Sequence, residues 1–494
     1  MFIRHLVRIE AKDLFEKAMV LYIDLGAEPA LERLEPYVAE HFIRELKRRH
    51  GVNIFERDFA RRVYAQDLAE FRESPWGELA ETNEAKYREK EIEHLAGLLE
   101  KREEHLKRSL DHLSEHGKHQ VVTILDNVDQ RESAFQDRIF VLAETLAKTW
   151  PGTVFVALRP DTFNRSKRAG ALTAYQPRVF AVAPPRVDDV IQKRLSFGRA
   201  QITAHGRLPA THQAVRNTDD LYNYLDILAR SFRRRDELKE LIDNLSGGNI
   251  RRALELLTTY ISSPHAGAER ALKTYDERGA YFIPYHVFLK AIMLGDRSHY
   301  DPSSSLVANL LDISTDDPRE HFLLPILLSL LRRTAEPGVH EGYVPVGRVY
   351  SFCQDLGFTP VQIAWQLDRA VAANLIEVSP LDGAPELYRS TSIGNYTEQR
   401  LLSTFTYIDE IIVDTPVTDD IRRAVLEDVR ATDLRLQRAR GFCSYLDSAW
   451  DQVASRDSGF DWLARSTSLA REMDRIEALL SGQRRPPRTP DIDF

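Results

Sequence analysis

The sequence predicts an α/β protein on a parallel sheet, followed by a long helical region that carries one small β-hairpin. Three observations predict it. Apolar runs of strand length at residues 19–25, 120–125 and 153–158 alternate with helical stretches, the pattern of parallel strands joined by crossovers. From Val187 to about Ile261 the periodicity is helical throughout, broken sharply only at Gly247-Gly248. Beyond that, three short helical stretches precede two β-prone runs that flank Asp382-Gly383, a hairpin signal.

Taken in order, Phe2, Ile3, Leu6 and Val7 recur at helical spacing with no capping residue ahead of them. This helix feeds the doubly buried strand at 19–25, which makes the pair half of a βαβ unit. The strand that opens the unit is therefore expected upstream of Met1. From Ala30 to about Lys118 the chain is helical and highly charged. Ile92, Leu95, Leu99, Leu106, Leu110 and Leu113 mark one helical face, with 8 basic and 9 acidic residues between Glu84 and Lys118. The stretch reads as a solvated surface insertion, or as one that binds a partner. Next come strand 120–125, a helix from Ala134 to Trp150, strand 153–158, and a short strand at Arg178–Val182 that ends at Pro184-Pro185. Helices at 323–333, 346–356 and 360–373, then the hairpin at 375–378 and 386–390, have the order of a winged helix. The expected division is a core at 1–185 with its insertion at about 30–118, a helical lid at 186–265 and a connector at 266–319. A winged helix at 320–395, a helical C-terminal region at 396–482 and a disordered tail at 483–494 complete it.

Composition bounds the function. Of 494 residues, 67 are Lys or Arg and 75 are Asp or Glu, a net charge of −8, so no wholesale electrostatic grip on nucleic acid is expected. Cys353 and Cys443 are the two cysteines, too few for a disulfide framework or a zinc finger, which suits a reducing cytoplasm. No apolar run approaches the length of a membrane helix.

Chemistry concentrates where strand 120–125 runs into Asp126-Asn127-Val128-Asp129. Acids that end a buried strand suit a magnesium–nucleotide site, with one holding the metal and a second orienting water; a helix cap is the plainer use. Arg159 ends the next strand and would lie at the same sheet edge, free to meet a phosphate or to pair with Asp126. In Gly247-Gly248-Asn249-Ile250-Arg251-Arg252, Asn249 caps a helix whose first turn carries two arginines, against the macrodipole, which points to an anionic partner.

On these residues the chain resembles the AAA+ and STAND classes of P-loop NTPases. Asp126 to Asp129 looks like the extended Walker B of KAP- and NACHT-type members, and Arg159 like the arginine after the sensor 1 strand. Gly248-Asn249-Ile250-Arg251 looks like sensor 2, most like that of archaeal origin-recognition initiators, which carry a winged helix after the lid. The resemblance implies an ATP-driven switch in signalling or defence with ATP and Mg2+ as cofactors. It assigns Asp126 to the metal, Asp129 to the water and Arg251 to the nucleotide, with Asn127, Gly248, Asn249 and Arg252 around it. It also implies a homo-oligomer or a partner protein, engaged through the insertion or the winged helix. One departure is large: no G-x-x-x-x-G-K-[ST] occurs in the 494 residues, so the phosphate-cradling loop is expected upstream of Met1 and nucleotide binding by this chain is expected to be poor.

Several features remain open to two uses. Arg165, Lys167 and Arg168 read as surface cations or as a finger that reaches a neighbour's nucleotide. Arg233-Arg234-Arg235 reads as a solvated face, and His116 and His119 as surface residues. The third helix of the winged helix offers Gln362 and Gln366 to bases, but its one cation is Arg369, and residues 319–396 carry 6 basic against 8 acidic residues. Packing within the chain or against a protein is favoured over DNA. A DNA-binding initiator or regulator and a scaffold without catalysis are the alternative functions.

Overall fold

The structure is a computed structural model. It describes residues 2–26, 33–159, 162–163, 166, 172, 177–183, 185–205, 218–334, 342–379, 386–418, 431–453 and 459–483. The chain divides into two compact units that meet between Phe180 and Ala181 in the sequence.

The first unit is built on three parallel strands, β1 (Ala18–Asp24), β2 (Gln120–Asp126) and β3 (Gly152–Val156), in the order β1-β2-β3. Unbroken apolar runs make β1 and β2 buried on both faces, as parallel strands with helical crossovers must be. Against one face, Met19, Leu21, Ile23, Val121 and Leu125 pack with three helices: α1 (Leu34–His50), α3 (Arg102–Glu115) and α4 (Ser133–Thr149). Leu21, Ile23 and Leu125 are fully buried, worth about 1.5–3 kcal/mol each. The opposite face, Ala18, Val20, Tyr22, Val122 and Ile124, is covered by Ile3, Val7 and Phe15 of the N-terminal helical stretch.

Two expectations for this unit are corrected. Helices α2 (Glu84–Glu100) and α3 do not share one face, because Lys101 between them leaves the helical region at φ −79° and ψ 72°. Leu95, Leu106, Leu110 and Leu113 are buried, whereas Ile92 is exposed. Nor is Arg178–Val182 a strand: its backbone is neither helix nor sheet, and Val179, Phe180 and Val182 are exposed. A strand needs a hydrogen-bonded neighbour as well as a β-prone sequence, and among the described residues this segment has none.

The second unit is mostly helical around one continuous core. It opens with α5 (Val187–His205), α6 (Thr218–Arg234), α7 (Asp236–Ser246) and α8 (Ile250–Ser262). Further on, α9 (Leu323–Thr334) is buried all round from Leu323 to Leu331, which accounts for its apolar run. It is followed by β4 (Val344–Pro345), α10 (Val346–Asp355), α11 (Pro360–Ala372), β5 (Ile376–Val378) and β6 (Leu387–Ser390). The strands form an antiparallel sheet in the order β4-β6-β5. The expected turn at Asp382-Gly383 and the tail from 484 lie outside the described residues. Long helices at Thr432–Trp450 and Trp462–Gln483 close the chain. Among the described residues no helix is long and apolar enough to cross a membrane.

Candidate functional site

Strand register builds the site. β1 and β2 pair from Ala18↔Gln120 to Asp24↔Asp126, so two acids end side by side, on strands about 4.8 Å apart. β3 lies on the other side of β2, with Leu125 opposite Val156. Arg159 therefore follows the strand adjacent to the one that ends in Asp126, as expected.

Asp126 is buried and accepts two hydrogen bonds. Tyr22 donates its hydroxyl to Oδ2 at 2.5 Å, and the Asn127 amide donates to Oδ1 at 2.9 Å. Asn127 adopts a left-handed φ of 59°, a conformation open to asparagine at small cost, and this turns the chain sharply off β2. That turn lets its Nδ2 reach across to Asp24 Oδ1 at 2.7 Å, which also receives the Gly26 amide at 3.2 Å. Asn127 thus ties the two carboxylates together. Among the described residues both acids meet neutral donors and no cation.

Asp129 sits on the short turn Val128–Gln130, anchored by the fully buried Val128. Its Oδ2 lies 2.7 Å from Arg159 Nε; the Asp129 side chain is 9% exposed and that of Arg159 is 63%. Arg159 thus pairs with Asp129, and the pairing with Asp126 left open by the sequence is not formed. Nearby, Arg131 donates Nε to the Leu25 carbonyl at 2.8 Å, pinning the loop after β1 to the loop after β2.

Tyr22 and Asp24 were missed in the sequence. Asp24 ends its apolar run as Asp126 does, and that repeated strand-to-acid step was the available signal. Tyr22 gave none, because its role depends on a residue 104 positions away.

Among the described residues, no group of three or more His, Cys, Asp or Glu is arranged to hold a metal. Two adjacent carboxylates without a cation do fit Mg2+, which usually keeps several waters and takes one or two carboxylates plus substrate phosphates.

The glycine-asparagine segment belongs to the second unit. Gly247 and Gly248 take positive φ of 58° and 75°, and Asn249 Oδ1 caps α8 by accepting the Arg251 and Arg252 amides at 3.0 and 3.3 Å. Arg251 is exposed. Arg252 is half-buried, burial pulls its pKa down, and it donates to the Leu306 carbonyl at 3.4 Å.

Other candidates are placed as follows. Gln362 and Gln366 are buried, which corrects their expected availability to bases. Gln362 completes a capping box with Thr359 and donates to Thr315 Oγ1 at 3.0 Å, while Gln366 donates to the Asp312 carbonyl at 2.9 Å. Arg369 donates to the Asn309 carbonyl at 2.8 Å and pairs with Asp312. The polar face of α11 is thus consumed in gripping residues 309–320. His116 stacks on His112, with ring centroids 4.6 Å apart. Arg165, Lys167 and Arg168 lie outside the described residues.

No protein-family model matches the chain, and no curated protein does. Among solved structures, the chain is similar to the crystal structure of Cdc6p from Pyrobaculum aerophilum. The two share 14% identity at a TM-score of 0.25, over 79% of this chain and 82% of that one. An overlap that loose transfers no residue's role from one chain to the other.

Proposed function

We propose that the chain is an ATP-responsive switch of the AAA+/STAND type, with its magnesium and phosphate side at the C-terminal ends of β1, β2 and β3. The observation that carries this is the Asp24–Asp126 pair. Two acids held side by side by Asn127, with neutral donors only, form a site that a cation would complete. Open parallel sheets bind ligands at this edge. Asp126, with Asp24 beside it, would hold Mg2+; the ion supplies neutralisation of charge on transferring phosphates. On this reading Asp129 would orient water and Arg159, its ion-pair partner in this structure, would meet a terminal phosphate. In the second unit Arg251 remains available to an anion, with Gly248 and Asn249 presenting the helix start and Arg252 committed to Leu306. The signalling or defence setting follows from the resemblance alone, as do oligomerisation and a winged-helix role for residues 320–395.

The 494 residues contain no phosphate-cradling loop, which favours a second reading, a scaffold without catalysis. Calorimetric titration with MgATP separates the two. The switch reading expects weak binding, with a Kd of about 1 mM or about 4 kcal/mol, that requires Mg2+ and disappears in Asp126→Asn. A chain that takes up no heat from MgATP is the scaffold. The buried Gln362 and Gln366 count against the DNA-binding alternative, and submicromolar duplex binding by the full chain at about 150 mM salt would restore it.

A further inference from the structure

In the second unit, α9 ends in two arginines with different surroundings. Arg332 pairs with the buried Glu398. Arg333 is exposed and meets no carboxylate among the described residues. Its side chain is nonetheless held in place. It fills the space beside Gly459, where a φ of 76° and the lack of a Cβ leave room for it, and the Gly459 carbonyl is fixed to α9 by the Ser329 hydroxyl at 2.8 Å.

Arg348 on α10 is also exposed and without a carboxylate partner among the described residues. It stands in the first turn of its helix, where the macrodipole disfavours a cation, and that turn has neither an acidic residue nor a side-chain cap. The two arginines line one cavity of about 430 Å3, within the range of small-molecule sites at about 300–1,000 Å3. Leu330 and Phe352 give it apolar wall. Thr334 spends its hydroxyl on the Leu330 carbonyl at 2.7 Å, whereas the Ser351 hydroxyl has no partner among the described residues and is open to a ligand. The acid in the lining, Asp355, is two turns beyond Arg348 on α10, about 10 Å along the axis. Among the described residues, α11, β5 and β6 contribute nothing to the lining.

We propose that this cavity binds a small organic phosphate monoester. Two guanidiniums without carboxylate partners suit a dianionic phosphate, which each can grip through paired N–H donors. The Ser351 hydroxyl adds a donor, Leu330 and Phe352 cover the apolar body of the ligand, and Asp355 repels the phosphate towards the arginine end. The site lies within the second unit and needs no Mg2+, so it stands or falls separately from the function above.

Calorimetric titration of the full chain with phenyl phosphate in EDTA tests it, because chelation removes the metal on which binding at the first unit's sheet edge depends. The proposal predicts one phenyl phosphate per chain, bound about tenfold more weakly by Arg333→Gln and by Arg348→Gln, and more tightly by Asp355→Asn. Both arginines are exposed, so the variants should fold, which far-UV circular dichroism checks. Inorganic phosphate should bind more weakly than phenyl phosphate, and benzyl alcohol should give no heat. Absence of binding, or equal binding by the native chain and both arginine variants, overturns the site. Inorganic phosphate that binds as tightly as phenyl phosphate overturns the organic ligand. Duplex DNA that displaces phenyl phosphate and is itself lost in the same variants would assign the arginines to a nucleic-acid backbone, which overturns the proposal as well.

Discussion

At the scale of the residue, the site is decided by who donates to whom. Tyr22 is buried, and its hydroxyl is one of two donors to Asp126. Tyr22→Phe keeps the ring and removes a hydrogen bond to a charged group, so chemical denaturation should show a loss of about 1.5–3 kcal/mol. Asp126→Asn leaves one acceptor oxygen for two donors, so its NH2 is turned toward either the Tyr22 hydroxyl or the Asn127 amide, and a loss of about 1–3 kcal/mol is expected with the chain still folded. His321 offers a test in the second unit. Burial pushes its pKa down to about 4, although the Leu311 carbonyl, Glu320 and Asp317 pull the other way. It is neutral in the fold and hydrogen-bonded to the Tyr445 hydroxyl at 2.9 Å. Between pH 4 and 6.5 the unfolded chain therefore binds more protons at this position. The contribution is complete above about pH 6.5 and is lost as the pH falls towards 4, a change of about 3 kcal/mol. Urea midpoints across that range should fall with acid in the native chain and fall less steeply in His321→Gln.

At the scale of the element, the sequence was readable wherever a local pattern suffices. The runs at 19–25 and 120–125 appear as β1 and β2 because a doubly buried strand needs an unbroken apolar run. The run at 153–158 appears only in part, as the outer strand β3, where Phe155 is exposed and burial cannot be read from the apolar run. Helix α11 was readable from Thr359 and Pro360, a cap followed by a first-turn proline. What failed depended on distant partners. Val344–Pro345 is a strand two residues long, defined by its pairing with Leu387 and Tyr388. Gln362 and Gln366 sit at positions suited to reading bases, yet they turn inward to the loop around Glu320. That fully buried carboxylate accepts the Ser314 and Thr315 amides at 3.0 Å each and their hydroxyls at 2.6 Å each. Glu320→Gln turns an amide NH2 against donors on one side, so at least one buried donor loses its partner. The expected cost is about 1–3 kcal/mol in denaturation of the full chain, with the loop that grips α11 exchanging its amides faster.

At the scale of the whole molecule, the sheet edge that carries Asp126 and Arg159 could be read from strand order alone, because neighbouring parallel strands end on one side. The pairing of Arg159 with Asp129, and the contribution of Asp24 and Tyr22, required the register between β1 and β2. The central claim is that the Asp24–Asp126 pair is a cation site. Titration of the 494-residue chain with Mn2+, followed by electron paramagnetic resonance of the free ion, tests it most directly. The account predicts one bound Mn2+ per chain, displaced by Mg2+ and lost in both Asp24→Asn and Asp126→Asn while each variant remains folded. Mn2+ that stays free at every protein concentration, or that binds equally well to both variants, would contradict it.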